Sequence, residues 1–404
     1  MIGRRTRFGR LALVLALAMA SLAGSATPAS AAFSNTPDTT WMTNGVVYAI
    51  AQGGGRIYVG GKFRSLRRCP TGVTCPGGTI ATNVGALDAA TGVGIKTFKI
   101  TVGGDGATVY ALAVANGKLY IGGQFTSVNG EPRMNLAAVD ATTGVLDATF
   151  APQVGVDSTD YVRGMLAHGG MVYIAGKFGS VGTAVRQHLA AFNPNGSLNG
   201  AWRPRTSGIA RSFAPTCAGD QIVIGGSFTR GAGTGTAIQD RKTLMIVDAA
   251  TGALDPWTPD NAAIPNGVTA YDLDATCDAL FVGYGGSNAI YRFDLTDDVG
   301  DIEWDLKTGG NVQTVALYGT QRVMFGGHFA NTPVAPNTTT KVKRVRFATA
   351  DFGGNALNDW TPEFSGKFFG PWDILVDGNR VWVGGAFTDV SGSAQFMLAR
   401  FSDV

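Results

Sequence analysis

Histidine is scarce in this chain of 404 residues: there are three, His168, His188 and His328. They fall at different positions of different repeats, so no register assembles a three-ligand metal cluster or a recurring His–carboxylate pair. The patterns G-x-S-x-G, H-E-x-x-H and G-x-x-x-x-G-K-[ST] are also missing. Nothing therefore points to a nucleophile elbow, a zincin helix or a phosphate loop. Cysteine is limited to four residues without paired C-x-x-C elements, which argues against zinc. Helical periodicity is not sustained anywhere, and the one long apolar run, LALVLALAMASL at 11–22, is too short to span a bilayer. No catalytic residue, metal ligand or cofactor is assigned from these patterns.

That apolar run follows Arg4, Arg5, Arg7 and Arg10 and precedes Ala29-Ser30-Ala31, an A-x-A cleavage pattern. Residues 1–31 read as a secretory signal peptide, with an uncleaved anchor as the alternative and the export route left open between the general and twin-arginine systems. The mature chain, 32–404, is then one domain without a transmembrane segment, secreted or wall-associated and expected to be monomeric. Without the four leader arginines, the 32 basic residues become 28 against 29 acidic ones, which removes the basis for nucleic-acid binding. The cysteines suit an oxidising destination. Of three possible pairings, Cys69 with Cys75 and Cys217 with Cys277 is favoured, because the first two are close in sequence and the last two hold matching places in successive repeats.

A strand-like segment ending in Gly-Gly-x-Phe recurs: IYVGGKF at 57–63, LYIGGQF at 119–125, VYIAGKF at 172–178, IVIGGSF at 222–228, VMFGGHF at 323–329 and VWVGGAF at 381–387, with LFVGYGG at 280–286 a degenerate copy. An alternating segment such as LAAVDATTG follows each, and then one aromatic: Phe98, Phe150, Trp202, Trp257, Trp304 and Trp360. The aromatics lie 47 to 56 residues apart, the length of a four-stranded antiparallel unit. Asn-Gly at 116–117 predicts a tight hairpin. The fold expected is an all-β, seven-bladed β-propeller with four strands per blade. The last repeat lacks a fourth strand, and Asp38-Thr-Thr-Trp41 copies Asp147-Ala-Thr-Phe150, so the N-terminal segment is expected to complete the C-terminal blade and close the ring.

Unequal connections single out one face. The second-to-third strand loops are long, and they carry Arg64, Arg67, Arg68, Arg133, Arg186, Arg230, Arg241, Lys242, Lys341 and Lys343. They suit either a polyanion or a solvated rim. Tyr48, Tyr110, Arg163, Arg211, Ala270, Gln313 and Trp372 stand near the start of each innermost strand and are expected to ring the channel mouth. Phe368 and Phe369 enrich the rim beside them. Aromatic faces among Arg and amide donors are what a sugar or small polar ligand uses, although the same ring would also serve as a plug. Asp373 near Arg163 and Arg211 leaves acid–base chemistry conceivable. The run Asp294, Asp297, Asp298 and Asp301 reads as a charged turn or a weak Ca²⁺ site.

The stretch LYIGGQFTSVNGEPRMNLAAVDATTGVLDATFAP at 119–152 resembles the delta-60 repeats of secreted bacterial proteins and, more loosely, kelch-like propellers. The resemblance covers about 38–403 and implies an extracellular or cell-surface propeller, with no catalytic residues to carry over. The functional expectation is a non-enzymatic binding or scaffold protein that engages a carbohydrate or protein ligand on the long-loop face. The alternatives are a carbohydrate-active hydrolase or lyase and a structural surface component.

Overall fold

The Gly-Gly pairs explain how the strands are shaped. In the computed structural model, which describes residues 33–68 and 78–403, each innermost strand pairs antiparallel with the strand carrying the glycines, and each of these pairings contains one β-bulge. A Cβ on Gly61 would sit 2.0 Å from the Val46 carbonyl oxygen, and one on Gly123 would sit 2.2 Å from that of Thr108. The second glycine therefore admits the bulged backbone. The first glycine admits the next sheet: a Cβ on Gly60 would meet Val109 at 2.6 Å, and one on Gly122 would meet Val162 at 2.6 Å.

Among the described residues seven sheets of this kind follow one another, each with an innermost strand: Val46–Gly53, Thr108–Ala115, Tyr161–His168, Ala210–Pro215, Thr269–Ala275, Val312–Tyr318 and Gly370–Asp377. These strands lie side by side in chain order, and Gly370–Asp377 in turn lies against Val46–Gly53. Apolar clusters fill the space between neighbouring sheets, one of them uniting Val47, Ile57 and Leu87 of the first with Trp382 and Leu398 of the last. Phe98, Phe150, Trp202, Trp257, Trp304 and Trp360 are all buried. Each contributes roughly 4–6 kcal/mol of transfer free energy before chain entropy is counted. Asn116 and Gly117 both have positive φ, as their hairpin requires.

Two expectations need correction. Among the described residues four strands occur only in the fifth sheet, where Ile302–Lys307 is a full outer strand. In the first, second, third, fourth and sixth sheets the outer segment is a single bridge, such as Val139–Leu146 or Val247–Leu254. The cause is local: Asp147, Asn199 and Asp255 accept hydrogen bonds from backbone amides two residues ahead, which bends the chain before a ladder can extend. The second-to-third strand connections are likewise not simple loops. They form small accessory sheets, as where Ser65–Arg67 pairs with both Met42–Thr43 and Thr79–Ile80, and Arg230–Ala232 pairs with both Arg205–Thr206 and Gln239–Asp240.

The two ends of the described residues meet at the seventh sheet. Asp38 donates its amide to the Arg400 carbonyl at 2.8 Å, and Phe33 bridges Asp403. The Asp38 carboxylate accepts from Arg400 Nε at 2.8 Å and from Ser402 Oγ at 2.6 Å. The segment around Asp38 is therefore held by side chains and isolated backbone bonds rather than by a strand ladder.

Cys217 and Cys277 are disulfide-bonded with their Cα atoms 4.8 Å apart, tying the hairpin turns of the fourth and fifth sheets. Cys69, Cys75 and the expected signal peptide lie outside the described residues. Among the described residues no helix is long and apolar enough to cross a membrane.

Candidate functional site

A bulge leaves one residue unpaired and turns its side chain away from the ladder. Here the seven bulges fall at Tyr48, Tyr110, Arg163, Arg211, Tyr271, Gln313 and Trp372. All seven line one cavity of about 200 Å³. Six of them were expected from the sequence. The exception is Ala270, which is fully buried in a core cluster, while its neighbour Tyr271 holds the bulged position.

The rings contact one another edge to face: Tyr48 lies 5.4 Å from Tyr110 and 5.5 Å from Trp372, and Tyr271 lies 6.4 Å from Trp372. Arg163 is held over Tyr110 at 5.4 Å and Trp372 at 5.6 Å, and Arg211 over Tyr271 at 5.2 Å. Neither guanidinium forms an ion pair among the described residues. Gln313 is 3% exposed, yet its Oε1 lacks a hydrogen-bond partner, as do Trp372 Nε1 and Arg211 Nε.

One residue beyond the bulge, the fifth and seventh sheets carry carboxylates. Asp272 accepts from the Val315 amide at 2.9 Å, and Asp373 from the Ile50 amide at 2.6 Å, so each binds the innermost strand of the following sheet. Burial pushes Asp373 up to about 7, with the nearby Asp272 charge adding to the rise and the Ile50 and Ile374 amides and Arg163 opposing it. Burial likewise raises Asp272 to about 6 against the hydrogen bonds from Val315, Leu273 and Thr314. Asp373 was expected near the arginines. Asp272 was missed, although its place directly after a bulge residue was readable once Tyr271 was aligned.

Phe368 and Phe369 stand beside the cavity rather than in its lining. They are 62% and 46% exposed; Phe369 lies 5.8 Å from Trp372, and Phe368 packs at a tilt against His328 with ring centroids 3.8 Å apart. The basic face needs revision. Arg133, Arg186 and Arg241 direct their guanidinium groups to backbone carbonyls, those of Asp147, Asn199 and Asp255 among them. Lys242 bonds the carbonyls of Asn261 and Ile264. These four of the ten expected cations are tied to backbone carbonyls of the fold, while Arg64, Arg68, Arg230, Lys341 and Lys343 are exposed.

Asp294 and Asp297 accept amide hydrogen bonds from Thr296 and Val299 within their turn. Among the described residues no group of three or more His, Cys, Asp or Glu is placed to hold a metal ion. His168 meets the Gly219 carbonyl at 2.5 Å and His188 that of Gly176 at 3.0 Å.

A family model described as "Domain of unknown function (DUF5122) beta-propeller" matches residues 115–150 and 170–199, within the second and third repeats. The fold is all-β and of the β-propeller kind. None of the curated proteins matches the chain. Among solved structures, the chain is similar to the computationally designed Ika8 protein at 11% identity, with 91% of each chain covered and a TM-score of 0.48.

Proposed function

We propose that the seven sheets are the blades of a closed, seven-bladed propeller of an exported protein, and that it acts as a non-enzymatic binding module for a saccharide at the mouth of its central channel. The observation that carries this reading is the convergence of four aromatic rings, two arginines and a glutamine on one cavity, each delivered by the same backbone bulge. Aromatic faces pack against the C–H surface of a sugar ring, and the polar side chains of Gln313, Arg163 and Arg211 in the same lining are suited to its hydroxyls.

A glycan array read with the mature protein, followed by titration calorimetry on any hit, tests this. Trp372→Ala and Tyr110→Ala are each expected to weaken binding about 10- to 100-fold, since aromatic anchors dominate such sites. Unchanged affinity in both variants would remove the channel mouth from consideration.

A second reading, a hydrolase or lyase at the same mouth, is favoured by the two carboxyl groups raised toward neutrality, Asp272 and Asp373. Turnover of a bound glycan in the same assay would promote it over simple binding.

A further inference from the structure

We propose that the saccharide taken at this mouth is acidic, and that its carboxylate seats between Arg163 and Arg211. This rests on the saccharide reading above and narrows it to a ligand class.

The two guanidinium groups are neighbours: the Arg211 charge is one of the influences that pull Arg163 below its ordinary value, second to burial. Each is held against an aromatic face. Arg163 donates one bond to the Tyr110 carbonyl at 3.3 Å, and Arg211 Nε has no acceptor. Both cations share the cavity with Asp272 and Asp373 but neither forms an ion pair with them among the described residues, and a planar carboxylate is the anion that a guanidinium fork matches in two bonds.

Gln313 supplies an independent pointer. It lines the same cavity, and an amide beside two guanidinium groups suits a hydroxyl-bearing ligand better than a bare anion. Phe369 continues the aromatic surface outward from Trp372, and Phe368 extends it further over His328, giving a following sugar unit a face to lie on.

The cavity's own carboxyl groups respond to the same charge. Asp373 faces Asp272 and Arg163, and Asp272 also feels Asp274, while Arg163 faces Arg211, Tyr110, Tyr161 and Asp272. As pH falls from 8 to 6 these carboxyl groups take up protons, the competing negative charge in the cavity declines, and an acidic ligand binds more tightly. A neutral ligand lacks that dependence on charge.

The test is calorimetric titration of the full mature protein with the trisaccharides of galacturonate and glucuronate, with their methyl esters, and with sodium sulfate. The esters keep the ring and remove the charge. At least one free acid is expected to bind about ten-fold or more tightly than its ester, more so at pH 6 than at pH 8, and Arg211→Gln is expected to bring the acid down to the affinity of the ester. The acid-to-ester comparison needs no variant and stands if Arg211→Gln fails to fold. Equal binding of acid and ester would overturn the acidic-ligand assignment and leave the saccharide reading in place. Sulfate binding as tightly as the trisaccharide acids would overturn it in favour of a simple anion site. No binding of any sugar would sink both readings.

Discussion

Gly123→Ala is expected to destabilise the protein by about 3 kcal/mol, at the upper end of what overpacking one methyl group produces. The new Cβ would lie 2.2 Å from the Thr108 carbonyl oxygen and 2.9 Å from Val109 Cα. Both are backbone atoms, so no side chain can swing aside, and relief requires the bulge between Val109 and Ala111 to change shape. Tyr110 projects from that bulge, so the substitution should weaken ligand binding as well as the fold. Gly179→Ala is the control, because nothing lies within 4 Å of a Cβ there. Urea denaturation compares the two, and a Gly123→Ala midpoint no lower than that of Gly179→Ala would refute the steric account of the glycine pair.

Asp373→Asn should change how stability depends on pH. The Asp373 carboxyl is raised in the folded protein to about 7 from an ordinary 3.8, so the folded chain binds its proton more tightly than the unfolded chain does. Stability from this group is fully present below about pH 4 and is lost as pH rises through 7. Between pH 5 and pH 8 the loss amounts to roughly 2–3 kcal/mol. Asparagine is neutral throughout, and its carbonyl oxygen can still accept from the Ile50 amide. The variant is therefore expected to match the parent below about pH 4 and to exceed it by a margin that widens from pH 5 to pH 8. Asp272, raised to about 6, leaves a smaller decline of the same sign in both proteins. Denaturation at the two pH values measures the difference, and a pH-independent offset between variant and parent would contradict the burial of this carboxyl.

The repeat was legible because its physics is local. A glycine pair at the end of a strand has a steric meaning, and an aromatic at fixed spacing has to be buried somewhere. The cavity residues Tyr48, Tyr110, Arg163, Arg211, Gln313 and Trp372 were found by the same register. Tyr271 was not, because in the fifth repeat Tyr284 replaces the second glycine and stands opposite Ala270, so the usual marker of the bulge is absent. The outer strands were misjudged because alternation in a short segment does not reveal that an Asp or Asn side chain will capture the backbone ahead of it. Arg133, Arg186 and Arg241 read as loop charges since their carbonyl partners, beyond the next strand, become neighbours only after folding. The Asp272–Asp373 interaction joins residues 101 positions apart, and no periodicity in one chain signals it.

Everything at the cavity depends on the last sheet meeting the first, with the N-terminal segment fastened to the final strand. A double-mutant cycle between Asp38 and Arg400, 362 residues apart in sequence, measures that junction directly. With Asp38→Ala, Arg400→Ala and the double variant compared by urea denaturation, a coupling of about 1–2 kcal/mol is expected for this charge-assisted bond. Strictly additive losses would mean the two side chains do not meet, and would contradict the proposed closure of the propeller together with the site at its centre.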